Sequence, residues 1–169
     1  MHWNARGVIL GLVISAVPGC QGSAGGASPS GWLHGNSSER FAQVEKQLRG
    51  FDMAMVETGY RYSELYWAGQ DQNWEGAAYQ VRKLRLAIDN GLERRPKRAA
   101  SAQPFLAEAL PAMEEVVAGR DSSAFAAGFD DLTKACNACH AMEKLAFFEV
   151  RVPGVRPSPI EFRVEAMSE

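Results

Sequence analysis

The chain has 169 residues, 22% of them charged, and a net charge of −2. That balance gives no electrostatic case for nucleic acid or an anionic membrane surface as a partner. After a leader is set aside, the length leaves one domain of ordinary size, able to bury a core without cross-links.

The first elements in chain order are a leader and a linker. Arg6 supplies a positive start, and Val8 to Val17 form a short apolar run of signal-peptide length, too short to span a bilayer comfortably. The run ends in Val17-Pro18-Gly19-Cys20, which resembles a bacterial lipobox and marks Cys20 as the expected lipidation site. Residues 1–19 therefore read as a signal peptide. Residues 20–36 read as a lipidated cysteine followed by a flexible tether, because the stretch is rich in Gly, Ser and Ala and cannot bury apolar surface. The alternative at this point is ordinary cleavage nearby, with Cys20 lost or left as a free thiol.

Four helical patterns follow over residues 37–146. The first spans Ser37 to Ala68, where Phe41, Val44, Leu48, Phe51, Met55, Thr58, Tyr62 and Leu65 recur at spacings of three and four. Ser37 or Ser38 is its expected cap. The second begins after Asp71 or Asn73 and finishes between Gly91 and Pro96, with Trp74, Ala77, Ala78, Val81, Leu84, Ile88 and Leu92 on its apolar face. The third lies between Pro104 and Ala118. Pro111 interrupts it and is read as its true first turn. The fourth runs from a cap at Asp121 or Ser122 to Leu145, with Phe125, Phe129, Leu132, Cys136, Cys139 and His140 on one face. Residues 147–169 form a tail in which Phe148, Val150 and Val152 alternate, expected to be an extended arm packed on the helices. Mostly short links between helices imply an all-α, antiparallel four-helix bundle.

Cys136-Asn137-Ala138-Cys139-His140 fits CxxCH, the haem c attachment signature. Two thiols on one helical turn can both reach the vinyl groups along one porphyrin edge, and the adjacent imidazole then lies under the iron. A structural zinc site would need a fourth ligand, and only His2 and His34 are left to join, both in or near the tether. A thioredoxin-like redox pair needs a strand before it, and none is expected here. A disulfide between the two cysteines would distort a regular helix. One covalent haem c is the expected cofactor.

The layout resembles the class II c-type cytochromes, the cytochrome c prime type, in which CxxCH lies near the end of the fourth helix. The resemblance covers residues 37–145 and is one of layout outside the motif. It implies thioethers at Cys136 and Cys139 and a proximal iron ligand at His140. The family often has an aromatic residue and an arginine three and four places after the histidine; here those places hold Glu143 and Lys144. The distal face in that family is set by the first helix. An apolar residue there leaves the iron open to nitric oxide or carbon monoxide, and a methionine there gives a six-coordinate electron carrier.

Met55 is the candidate distal ligand, on the apolar seam, with core filling as the bland alternative. Met53 projects about 160° away around the same helix. Tyr62 is the seam aromatic expected to face the pocket, while Tyr60, Tyr66, Trp67, Trp74 and Tyr79 suit helix-end packing. Arg82, Lys83 and Arg85 form a solvated face, or else meet haem propionates or an acidic redox partner. The expectation is a non-enzymatic, one-electron carrier with a redox partner protein. It would sit on the periplasmic side of a bacterial membrane, held only through its lipid, the outer membrane being favoured because Gln21 rather than Asp follows the cysteine. The alternative is gas binding. No His or Arg stands at a distal position to assist peroxide cleavage. Homodimers occur in the family.

Overall fold

The computed structural model describes residues 31–156. The expected signal peptide, Cys20 and the end of the tail lie outside the described residues. Those residues fall into two units divided between Val44 and Glu45.

Asn36, in the first unit, opens helix α1 (Ser37–Leu48), whose last turn belongs to the second. Its side chain accepts from the Glu39 N–H at 3.1 Å, and the Glu39 carboxylate accepts from the Asn36 N–H at 2.7 Å. This is a reciprocal capping box, one residue before the expected serine cap. No residue of α1 is buried, and Phe41 is 75% exposed. The apolar seam read from Phe41 onward as one long helix is therefore not continuous. Arg49 adopts a left-handed φ of +59° and Gly50 is extended, so the chain stops and restarts as α2 (Phe51–Gln70). Asp52 ties the break together, accepting from the Gly50 N–H at 3.1 Å and from the Arg49 guanidinium.

Helix α2 buries Ala54, Thr58, Tyr62, Leu65 and Ala68. It ends in a Schellman turn: Gln72 takes φ +56°, its N–H bonds the Gly69 carbonyl, and the Asn73 N–H bonds the Ala68 carbonyl. Asn73 then caps α3 (Trp74–Arg94), accepting from the Gly76 N–H at 2.7 Å. Ala77, Val81, Leu84 and Ile88 form the buried stripe of α3.

The third helical region starts well before Pro111. A 3-10 turn at Pro96–Arg98 leads into α4 (Ala99–Pro104), a π turn at Phe105–Ala109 and α5 (Leu110–Gly119), with helical backbone angles where these pieces join. Pro111 produces the π turn rather than a start. The Leu110 N–H reaches back five residues to the Phe105 carbonyl. The Leu106 carbonyl would next turn to residue 111, which as proline has no N–H to give. Arg85 on α3 fills that gap, donating from Nη1 to the Leu106 oxygen at 3.1 Å.

Helix α6 (Ser122–Met142) is capped by Asp121, which accepts from the Ala124 N–H at 2.7 Å. It stops three residues short of Leu145. Tyr62, Leu65, Val81, Leu84, Leu110, Met113, Phe125, Phe129 and Leu132 belong to one core cluster. Gly69 admits the Phe125 ring so closely that a Cβ there would collide with it. Helix α2 packs on α3, α3 on α5, α5 on α6, and α6 returns to α2. The described residues are thus all-helical, with no strand among them, and their packing is compatible with a helical bundle. Residues 149–153 carry neither helix nor strand, and Val150 packs against the core.

Candidate functional site

The last turn of α6 brings the motif to an apolar cleft. Phe51, Met55, Thr58, Gly59 and Tyr62 of α2 line one wall; Cys136, Cys139 and His140 of α6 line another. Ile88, Ala102, Phe105 and Val150 complete it, around a cavity of about 120 Å³ that opens to the surface. Met55 and the cysteine–histidine motif, 81 residues apart at the nearest, thus share one cavity, while Met53 turns outward at 38% exposed. Of the aromatic residues around the α2–α3 turn only Tyr62 reaches the cleft, and Arg82, Lys83 and Arg85 do not. Arg85 holds the π turn, and the Lys83 ammonium lies over the Tyr79 ring.

Each motif side chain has a distinct environment. Both cysteines are free thiols. Burial pushes the Cys136 thiol up to about 12, with the neighbouring Cys139 adding to the rise. Cys139 is also raised by burial, but a side-chain hydrogen bond with Ser101 and the positive charge of Arg98 oppose the shift. Ser101 and Arg98 are held in turn by Glu143, which bonds the Ser101 hydroxyl and pairs with the Arg98 guanidinium. Glu143 therefore draws a cation from the 3-10 turn before α4 to the side of Cys139.

His140 is oriented by the chain that follows it. Helix α6 closes with a Schellman turn in which the Leu145 N–H bonds the His140 carbonyl and the Lys144 N–H bonds the Ala141 carbonyl, with Lys144 at φ +62°. The chain then folds back, and the Phe148 carbonyl lies 2.8 Å from His140 Nδ1. A carbonyl can only accept, so Nδ1 is the donor in this contact, which leaves Nε2 as the nitrogen open to a further partner.

The Tyr62 hydroxyl bonds Thr133 Oγ1 at 2.7 Å and donates to the Arg151 carbonyl at 3.3 Å. Burial pushes its phenol up to about 12, against the opposing Thr133 bond. Thr58 Oγ1 is buried with no hydrogen-bond partner. Beside it, the space around Gly59 where a Cβ would stand is open.

These residues fit a haem. The walls are apolar, two uncommitted thiols stand one turn apart, and the histidine retains a free Nε2. Among the described residues no three His, Cys, Asp or Glu side chains cluster to hold a bare metal ion. Sequence reading placed Met55, Tyr62, Cys136, Cys139 and His140. It counted Thr58 only as a seam position and missed Ala102, Phe105 and Val150 as cleft walls and the Arg98–Ser101–Glu143 group. A hydroxyl at an otherwise apolar seam position was the one available signal for Thr58. The chain matches no family model, no curated protein and no solved structure.

Proposed function

We infer that the protein is a c-type cytochrome of the class II, cytochrome c prime-like kind, an antiparallel four-helix domain with one covalent haem on its fourth helix. It carries single electrons on the outer side of a bacterial membrane, where Cys20 bears a lipid. The observation that carries this reading is the cleft itself: CxxCH, an imidazole with Nε2 free and Met55 all border one apolar cavity. Cys136 and Cys139 would hold the haem through thioethers, His140 would bind iron on one face, and Met55 is the candidate on the other. The bound haem supplies a one-electron ferric–ferrous couple, which methionine ligation would raise in potential. The protein's own residues exclude water from the ring and fix the histidine.

A second reading has its own observation. Thr58, 9% exposed and without a partner, and the open space at Gly59 suit a small exogenous ligand such as nitric oxide or carbon monoxide on the same face. The dithionite-reduced visible spectrum, recorded before and after carbon monoxide, decides between them. A sharp α-band indifferent to the gas supports electron transfer with Met55 bound. A broad high-spin spectrum that shifts with carbon monoxide removes Met55 and promotes gas binding, in which case Thr58→Val should weaken retention of the ligand. Absence of any haem spectrum after expression with haem c maturation machinery would overturn both readings.

A further inference from the structure

Asn137, the first variable residue of CxxCH, grips the returning tail at two points. Its carbonyl oxygen accepts from the Val150 N–H at 2.7 Å, and its amide donates to the Val150 carbonyl at 2.9 Å. An asparagine side chain has the same donor–acceptor pair as a peptide group, so it occupies the place of a neighbouring strand. Two residues before Val150, the Phe148 carbonyl meets His140 Nδ1 at 2.8 Å. One residue after it, the Arg151 carbonyl accepts from Tyr62, which lines the cleft. The tail is thus fastened on both sides of the contact at Val150, and the Phe148 carbonyl is aimed by that fastening. After the turn at Lys144, residues 146–148 are exposed and carry one backbone bond, from the Phe148 N–H to the Leu145 carbonyl, so the clamp at Val150 adds the fastening that aims the Phe148 carbonyl.

We propose that Asn137 is a positioning residue for His140: by clamping Val150 it holds the tail as a strap whose Phe148 carbonyl keeps the imidazole protonated at Nδ1 and fixed in rotation, with Nε2 toward the cleft. The partner of a ligating histidine's second nitrogen governs both ring orientation and ligand basicity. A ring that donates to a carbonyl is a stronger donor to iron and favours the ferric state. Losing the strap therefore raises the reduction potential and frees the Nδ1 proton. The proposal rests on the haem reading above.

The test uses the full-length haem-bearing protein with Asn137→Ala, with Val150→Pro, which removes the N–H that Asn137 receives, and with Arg151→Ala as a control that leaves every backbone contact in place. Two quantities are read: the reduction potential, and the solvent exchange of the His140 Nδ1 proton by nuclear magnetic resonance. Both clamp variants should show a higher potential and exchange roughly tenfold faster, the loss expected from one hydrogen bond, while Arg151→Ala matches the parent. A merely structural role would lower the melting temperature without moving potential or exchange. Parent-like potential and exchange in a folded Asn137→Ala protein overturn the proposal. If Val150→Pro does not fold, Asn137→Ala decides alone. If the parent carries no covalent haem by mass, the function proposed above fails, and the same exchange comparison on that chain still decides whether the strap holds the ring.

Discussion

The π turn gives a quantitative prediction. Removing the Arg85 side chain by Arg85→Ala leaves the Leu106 carbonyl without a protein partner, because Pro111 has no N–H. A hydrogen bond to a charged donor contributes about 1.5–3 kcal/mol. The Arg85 side chain is 36% exposed, so water recovers part of this and about 1–1.5 kcal/mol remains. The Arg85–Glu114 pair, at 3.6 Å with both side chains partly exposed, adds about 0–0.5 kcal/mol. Arg85→Ala should therefore destabilise by about 1–2 kcal/mol. In a Pro111→Ala background residue 111 has an N–H that can reach the Leu106 carbonyl, and Arg85→Ala should then lose only the Glu114 pair. The coupling energy between the two sites should be about 1 kcal/mol. Urea denaturation of the parent, both single variants and the double variant measures it. Additive effects would refute the account of Pro111 as the cause of the unmet carbonyl.

Other expectations concern the core and the thiols. Gly69→Ala drives a methyl into the fully buried Phe125 ring, which in turn packs on Trp74 and Phe129. It should destabilise by about 1–3 kcal/mol in urea denaturation and alter the aromatic circular dichroism. With its thiol raised from the ordinary 9.0 to about 12, Cys136 favours the neutral form in the folded haem-free protein. That stabilisation is fully present below pH 9 and is lost as the pH rises toward 12. Haem-free protein should lose stability through that window more steeply than haem-free Cys136→Ala, as read from melting temperatures at stepped pH.

Sequence patterning carried the reading furthest where side chains repeat. The stripes of α2, α3 and α6 were legible because Leu65, Leu84, Phe129 and their neighbours recur at helical spacing, and that spacing placed Met55 toward the cavity and Met53 away from it. It failed where backbone conformation intervenes. Phe41 and Leu48 continue the seam on paper, but a left-handed Arg49 breaks the helix, and no proline marks the place. In the third region the buried positions Ala102, Phe105, Leu110, Met113 and Val117 include one step of five residues. Leu106 and Ala109 are apolar too and disguise that step, so the pattern hides the π turn and makes Pro111 look like a helix start. The Asn137 clamp joins residues 13 apart through polar atoms, for which hydrophobic periodicity has no sign.

The far end of the strap has a kinetic consequence. Arg156 pairs with Asp71 at 2.6 Å and lies over the Trp67 ring at 5.0 Å, so the tail is pinned at the α2–α3 turn as well as at the motif. These contacts join residues 85 and 89 apart, and Tyr62 meets the Arg151 carbonyl across 89. Long loops must close before such contacts repay their entropy, whereas helices form from local ones. The tail's reach to α2 therefore forms last, onto helices already assembled, whereas the clamp at Asn137 and the bond at His140 span only 13 and 8 residues and can close with the end of α6. The imidazole is thus given its direction before the tail is pinned at the far turn.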